Sequence, residues 1–156
     1  ESLGMILAVE NAFEPSNTPE EVAGCIRHFN SPYIACCLDI GHAHIMDSEA
    51  PRAADTIGAN IREKAWNNKI ILKPFAETVK LLAPWIVTCH IHDNDAKADQ
   101  HLLPGDGNID WPRTMAELRQ CPRLESIQNE TNFCARGTSI SRGCRVFREL
   151  AALIRP

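Results

Sequence analysis

Residues able to bind a metal or move a proton crowd together directly after one apolar stretch of this chain. Within residues 33–47, "YIACCLDIGHAHIMD", nine consecutive positions hold Asp39, His42, His44 and Asp47. Carboxylates and imidazoles are ligands of divalent cations and also serve as general acids and bases. Because solvated carboxylates and loop histidines without such a role are common, this cluster gains meaning only if other segments bring similar groups to the same place.

Similar groups stand at the ends of all the apolar segments predicted as strands. Glu10 ends the first segment, Asp39 the second, His90 the third and Glu130 the fourth. Carboxylates from neighbouring strands that point into one opening repel one another unless a cation lies between them. An imidazole joined to three carboxylates forms an oxygen-rich site that suits Mn, Mg, Co or Zn. The joint placement therefore predicts a site for one divalent metal ion.

Each polar group also has an ordinary interpretation. Glu10 alone is most simply an exposed strand-end charge, and lone loop histidines such as His42 usually bind nothing. The run "HIHDND" over 90–95 is denser, yet His-rich loops also occur without function. Asp99 and His101 have a ligand-like spacing and precede a Gly-x-Gly, which we interpret as a turn because it does not open a helix after a strand.

Strands that alternate with helices would bring these groups together. The predicted strands are 4–10, 33–40, 85–92 and 124–130. The predicted helices are 18–29, 74–85, 111–121 and 139–156, while residues 46–72 are polar and irregular with some helical character. Apolar strands in this order predict an α/β fold with a parallel sheet covered by helices. In such folds the loops after the strands carry the functional site.

The helix over 18–29 has the clearest boundaries. Thr18 is a suitable N-cap, and a proline occupies the next position, where its missing N–H is harmless. Val22, Ile26 and Phe29 recur at helical spacing and are predicted to share one face.

The composition is that of a globular protein. The chain has 156 residues, of which 44% are hydrophobic and 23% are charged, which is enough apolar material for a sizeable core. No apolar run approaches the roughly 20 residues that cross a bilayer, and no signal peptide is recognised at the N-terminus. We therefore expect a cytoplasmic protein without membrane partners.

The cysteine pattern points to reduced thiols. The seven cysteines are odd in number, form no CxxC pair and mostly lie inside apolar stretches. A disulfide frame or a zinc knuckle would require a different spacing, so we expect mostly buried free thiols.

Five segments resemble, in order, motifs of the xylose isomerase-like barrels, which contain sugar-phosphate isomerases and epimerases and have endonuclease IV as a relative. The segments are "ILAVEN", "CLDIGHAH", "VTCHIHDN", "DQHLLPGDGNIDW" and "QNETN", and they span residues 6–132. The resemblance implies that one divalent metal has four protein ligands, which are Glu10, Asp39, His90 and Glu130.

The resemblance also implies roles for three further side chains. It places His42 beside the metal, where it contacts substrate or a second ion. Asp99 and His101 match a pair that binds additional metal in the endonuclease branch and recurs in many of the sugar-enzyme relatives.

Members of this family are (β/α)8 TIM barrels of roughly 250 residues or more, whereas this chain offers about four βα units. We therefore expect residues 1–156 to form a single domain that corresponds to the C-terminal half of such a barrel. A lone half barrel leaves strand edges and apolar faces unpaired, so the missing N-terminal half barrel or a homo-oligomer partner is expected to cover them.

The function that the resemblance implies is that of a metal-dependent sugar or sugar-phosphate isomerase or epimerase with a small carbohydrate substrate. Glu10 and Glu130 would exchange a proton with the sugar through an enediolate stabilised by the metal. A third class, a non-catalytic remnant, has no physical need for ligand residues at all four strand ends.

The alternative is an endonuclease IV-like zinc-dependent phosphodiesterase that acts on abasic DNA. It would need additional Zn, held by His42, Asp99 and His101, and nucleic acid as its partner. The net charge of −4 and the lack of a basic, aromatic-studded loop favour the sugar enzyme.

Overall fold

A computed structural model describes residues 3–12, 14–51 and 72–154 of the chain. The polar, irregular segment predicted over 46–72 lies outside the described residues except at its two ends.

The described residues contain strands and helices in the predicted alternation. The strands are β1 (Leu7–Glu10), β2 (Ile34–Asp39), β3 (Ile86–Ile91) and β4 (Ser126–Asn129). The helices are α1 (Pro19–Phe29), α2 (Ile40–Ile45), α3 (Phe75–Leu82), α4 (Trp111–Leu118), α5 (Phe133–Arg136) and α6 (Ile140–Ile154), with a short 3-10 turn at Pro15–Asn17.

The four strands form one parallel sheet in the order β1-β2-β3-β4. Each strand pairs with the next one along the chain, and helical connections return the chain to the same edge of the sheet. Parallel neighbours require such crossovers because the chain must start every strand from the same side. The predicted α/β fold with a parallel sheet is confirmed, and the strand ends differ from the predicted ones by three residues at most.

A continuous hydrophobic core lies between the helices and the sheet. It includes Leu38 and Ile91 from the central strands and Met115 and Leu118 from α4, all of them fully buried or nearly so. Four of the seven cysteines, Cys36, Cys37, Cys89 and Cys121, are buried, and all seven are free thiols, as expected from their apolar surroundings.

Helix α1 begins as predicted but ends differently. The Thr18 side chain accepts a hydrogen bond from the Glu21 N–H at 3.3 Å, and Val22 and Ile26 are buried in the core. Phe29, at helical spacing from Val22 and Ile26, is the last residue of the helix, where it is 59% exposed and packs edge-on against His28.

Two short helices were not predicted, and each depends on a side-chain cap. The Asp39 carboxylate accepts a hydrogen bond from the His42 N–H at 2.6 Å, so α2 starts at Ile40, which was predicted as strand. Asn132 caps α5 in the same way through the Ala135 N–H at 3.2 Å. Local capping therefore turns the chain into a helix immediately after the strand.

In the part of the chain that the structure describes, β1 and β4 each pair on one side only, so the sheet has an open edge at both strands. On the β1 side, the exposed large apolar residues are Leu3, Met5, Ile6 and Leu7. Unpaired backbone groups flanked by apolar side chains favour association with another chain. No helix among the residues that the structure describes combines the length and apolar character needed to cross a bilayer.

We expect the isolated chain to associate through this open edge. Leu7→Lys places a charge on the edge strand, which should weaken association, whereas Ile140→Lys, on an exposed helix position, should leave it unchanged. Sedimentation velocity measures both variants beside the wild type. A stable monomer of 17.3 kDa for the wild-type chain would contradict the expectation.

Candidate functional site

The polar residues predicted to form a site do meet at the carboxyl edge of the sheet. In the strand register, Glu10 pairs with Cys37 and Asp39 pairs with His90, so neighbouring strands end at nearly the same level. Glu130 follows β4 directly, and its N–H donates to the Ile91 carbonyl at 3.1 Å. Because all strands are parallel, their last residues necessarily gather at one edge.

The first cluster consists of Glu10, Asp39, His90 and Glu130. Three carboxylates surround His90 Nδ1, with Glu130 Oε1 at 3.0 Å, Glu10 Oε2 at 3.4 Å and Asp39 Oδ2 at 3.7 Å. Glu10 and Glu130 come from the two outer strand ends and reach toward the centre, whereas Asp39 and His90 come from the inner strands. The predicted four-residue set is therefore brought together around one point.

Asn11 was not singled out in the sequence, yet it anchors Asp39. Its side chain accepts from the Asp39 N–H at 2.8 Å and donates to the Asp39 carbonyl at 3.1 Å. His42 Nδ1 also lies 3.0 Å from the Asn11 carbonyl. The buried Asn11 amide thus links the end of β1 to the end of β2. In the sequence, the signal for this role was the position of Asn11 directly after Glu10.

The second cluster lies beside the first and consists of His42, His92, Asp99 and His101. One ligand atom from each of the four side chains lies within 4.8 Å of all the others. Asp99 Oδ2 is 3.1 Å from His101 Nε2 and 3.5 Å from His42 Nε2. His42, Asp99 and His101 were predicted to act together, whereas His92 was noted in its dense segment but given no role.

A buried carboxylate holds the loop that carries Asp99 and His101. Asp93 has no exposed surface and accepts hydrogen bonds from the Trp111 indole N–H at 2.8 Å and from the backbone N–H groups of Gly105 at 2.8 Å and Ile109 at 3.3 Å. These bonds fold residues 93–110 back over the strand ends. The Gly-x-Gly in this loop is therefore part of a turn, as predicted.

The four acidic and histidine side chains within residues 39–47 lie in two separate places. Asp39 and His42 belong to the clusters, but His44 and Asp47 lie elsewhere. His44 Nε2 is 2.6 Å from Asn108 Oδ1, and Asp47 accepts from the Phe75 N–H at 3.2 Å. His42 and His44 are two residues apart on α2 and therefore lie on different sides of the helix, and the second pair contacts Asn108 and the start of α3.

Asp39 stays ionised despite its burial. Burial alone would raise its pKa, but the neighbouring imidazoles of His90 and His92 outweigh burial and lower the pKa well below its usual range. Burial dominates at Glu10, where it raises the pKa in spite of the nearby His90. The first cluster therefore combines a permanently charged carboxylate with one that holds a proton more readily.

His42 holds its proton more tightly than an ordinary histidine. Burial would lower its pKa, but the hydrogen bond with Asp99 and the charge of Asp39 raise it from 6.5 to about 9. The nearby Asp39 carboxylate likewise raises the pKa of His90, while contact with His42 lowers that of Asp99.

The donor set fits a divalent cation. His90 Nδ1 is buried without a hydrogen-bond partner in the described part of the chain, although three carboxylates face it. Oxygen and imidazole ligands in this ratio suit Mn, Mg, Co or Zn, and a cation would offset the mutual repulsion of the carboxylates.

Comparison with known proteins bears on the family and the fold of the chain. The family model described as xylose isomerase-like TIM barrel matches residues 1–127. The crystal structure of a D-tagatose 3-epimerase-like protein superposes with a TM-score of 0.66 at 20% identity, over 98% of this chain and 48% of that one. The uncharacterized protein MJ1311 of Methanocaldococcus jannaschii is 24% identical over 103 residues, which are 66% of this chain and 27% of its own length.

These matches bear on the predicted fold. The chain spans about half of the solved structure that it resembles and about a quarter of the curated relative. The prediction of a TIM-barrel type fold of which the chain forms part is confirmed, because a parallel four-stranded sheet superposes on half of a barrel-type structure.

We expect metal affinity to rise with pH as His42 loses its proton. Because its folded pKa is raised from 6.5 to about 9, the bound proton stabilises the metal-free protein below pH 6.5, and this stabilisation is lost as pH rises through about 9. In calorimetric titrations across this pH range, the wild-type protein should bind Zn2+ more tightly and release more protons on binding than the His42→Gln variant. Identical pH profiles for the two proteins would contradict the assignment.

Gly41 leaves the space that the His92 ring occupies. A Cβ at Gly41 would lie 2.0 Å from His92 Cε1, whereas a Cβ at Gly24, in α1, would meet nothing within 4 Å. Gly41→Ala should lower the free energy of unfolding by about 1–3 kcal/mol. Gly24→Ala should raise it by up to about 1 kcal/mol. Urea denaturation of both variants measures the difference, and equal stability would show that the His92 ring is not held as described.

Proposed function

Because the chain belongs to the xylose isomerase-like TIM barrel family, we propose that it supplies the metal-binding half of a sugar or sugar-phosphate isomerase or epimerase. The single observation that carries this proposal is the first cluster. Two glutamates approach His90 Nδ1 from the carboxyl ends of the two outer strands, with Glu130 at 3.0 Å and Glu10 at 3.4 Å.

The divalent cation that this cluster suits would, when bound, polarise a sugar carbonyl and its neighbouring hydroxyl and so make the intervening C–H more acidic. Asp39 would supply permanent negative charge, because it is fully buried and its pKa is lowered by His90 and His92. The His90 ring would supply a nitrogen ligand from the central strand.

The two glutamates are placed to exchange protons with substrate. The side chains of Glu10 and Glu130 are 36% and 31% exposed, so both reach the open side of the cluster. Burial raises the pKa of Glu10, which brings it closer to the range in which a carboxylate accepts and returns a proton at neutral pH. One glutamate would remove the proton and the other would return it.

A small carbohydrate is the substrate class that this arrangement favours, and a completed barrel is the form in which we expect it to act. The open edges at β1 and β4 would be covered by an N-terminal half barrel or by a second copy of the chain. The added strands would close the substrate pocket above Glu10 and Glu130.

The second candidate function is that of a zinc-dependent phosphodiesterase acting on abasic DNA, like endonuclease IV. The observation that favours it is the second cluster, in which His42, Asp99 and His101 lie together beside the first one. Additional Zn at these residues would activate water against a phosphodiester.

Glu130→Gln tests the sugar reaction. The amide keeps a metal-capable oxygen and the volume of the side chain but accepts no proton near neutral pH. In the completed barrel, the variant should retain most metal and lose roughly 10²–10⁴-fold in proton exchange at the sugar carbon. Solvent deuterium incorporation into a panel of ketoses and aldoses measures the exchange, and metal analysis of the purified variant measures retention.

His101→Ala is the matched variant that separates the two functions. It should reduce sugar exchange only modestly, because His101 lies outside the first cluster, but it should abolish nicking of a duplex with an abasic site if the second cluster holds catalytic zinc. A wild-type barrel that nicks this duplex and exchanges no proton with any sugar would overturn the sugar-enzyme proposal in favour of the alternative.

A further inference from the structure

The imidazole of His92 is fully buried between the two clusters. We infer that His92 is a positioning residue, whose ring N–H holds the Asp39 carboxylate in the orientation in which Asp39 can bind the cation of the first cluster. The inference rests on the metal site of the proposed function. It adds to that site a residue that acts through Asp39 rather than as a ligand.

The Asp39 carboxylate is held from two sides. The backbone N–H of His42 donates to Oδ1 at 2.6 Å, and Nε2 of His92 lies 3.2 Å from Oδ1 and 3.3 Å from Oδ2. Because an ionised carboxylate accepts hydrogen bonds and donates none, Nε2 carries the proton of the His92 ring and donates it. The helix cap thus fixes Oδ1, and His92 holds Oδ2, the oxygen that faces His90 Nδ1 at 3.7 Å.

A carboxylate that binds a metal must keep an oxygen directed at the cation. A single hydrogen bond to Oδ1 would leave Asp39 free to turn about its last side-chain bond, whereas contact with both oxygens restricts that rotation. Asp39 is also fully buried, so the His92 N–H replaces water as a partner of its charge. Loss of a group that orients a metal ligand in this way typically weakens metal binding by about 10–100-fold.

The nitrogen of His92 that lies nearest to the first cluster is a donor and offers no lone pair to a cation there. Its other nitrogen, Nδ1, is directed toward Asp99, with Oδ1 at 3.8 Å. The ring also stacks on His101 with centroids 3.9 Å apart and planes 14° apart, so the in-plane lone pairs of the two rings run side by side rather than toward one point. Support of Asp39 is therefore the role that this orientation favours.

Packing on several sides keeps the His92 ring in this orientation. Besides the stacked His101, the ring of His42 meets it edge-on, with centroids 5.7 Å apart and planes at 77°. Gly41 leaves the space for the ring, and the Asn94 side chain donates to the Gly41 carbonyl at 2.8 Å, which holds this glycine close to the loop after β3. The donor atom of His92 consequently has a fixed position relative to Asp39.

Nitrogen NMR of the metal-free full chain with isotope-labelled histidine tests the hydrogen bond itself. Nε2 of His92 should carry a proton, and this proton should exchange slowly with solvent because the ring is buried. The signal is assigned by its loss in His92→Gln. An unprotonated Nε2 would overturn the inference, whatever the metal measurements show.

Manganese binding tests the consequence in the full chain carrying Asp99→Asn, which removes the carboxylate of the second cluster and leaves the oxygen-rich first cluster as the site that suits Mn2+. Free Mn2+ is measured by electron paramagnetic resonance, with no sugar present. In this parent, His92→Leu removes the donor and should weaken Mn2+ binding by about 10–100-fold. His92→Gln should restore most of the affinity, because its amide N–H extends about as far as Nε2 of the imidazole.

His44→Leu is the matched control, since it removes another buried imidazole, whose Nε2 lies 2.6 Å from Asn108 Oδ1 outside both clusters. This control should bind Mn2+ as the parent does. Unchanged affinity in His92→Leu would overturn the inference. Weakening of the same size in His92→Gln or in His44→Leu would also overturn it, because a general loss of structure would then explain the effect.

If circular dichroism shows that His92→Leu is unfolded, His92→Met replaces it, and the same weakening is required. A parent that binds no Mn2+ would refute the metal site of the proposed function and this inference together. A completed barrel that binds metal but exchanges no proton with any sugar would refute the proposed reaction alone and leave the role of His92 standing.

Discussion

The buried carboxylate of Asp39 is the group on which both clusters depend. It ends β2, caps α2 through the His42 N–H, faces His90 in the first cluster and accepts from His92 beside the second. Asn11 fixes its backbone from the neighbouring strand. A charged group without solvent is costly unless its partners are in place, so these contacts must form together. This requirement links strand pairing, helix capping and the geometry of the site.

Charge balance explains why the residues around Asp39 are perturbed in different directions. Three carboxylates share one His90 nitrogen in the first cluster, while three imidazoles share one carboxylate in the second. Burial raises the pKa of Glu10, whereas acidic neighbours raise that of His42 to about 9. Protons bound at these residues thus offset the charge that a cation would otherwise balance. Competition between protons and metal is the expected behaviour of such a pair of sites.

The sheet that carries this edge superposes on about half of a barrel-type structure. The ends of its outer strands supply Glu10 and Glu130, which are the two most exposed side chains of the first cluster, and one outer strand is flanked by exposed Leu3 and Met5. A barrel removes such edges by pairing them. Completion of the sheet would therefore stabilise the fold and also enclose the proposed proton-transfer groups, which is why activity belongs to the completed assembly in our proposal.

The sequence by itself determined the alternation of strands and helices, the parallel sheet and the placement of Glu10, Asp39, His90 and Glu130 at its carboxyl edge. These features follow from local patterns, since apolar runs, caps and the residue that ends each strand can be identified within a few positions. Helix α2 was not predicted, because its Asp39 cap and its first residue, Ile40, lie within the apolar stretch 33–40 that predicts a strand. Only the tertiary structure separated His42 from His44, exposed Phe29 and brought His92 against Asp99 and His101. Those outcomes depend on how the loop over 93–110 folds back around Asp93, and contacts between residues distant in the chain leave no periodic trace in it.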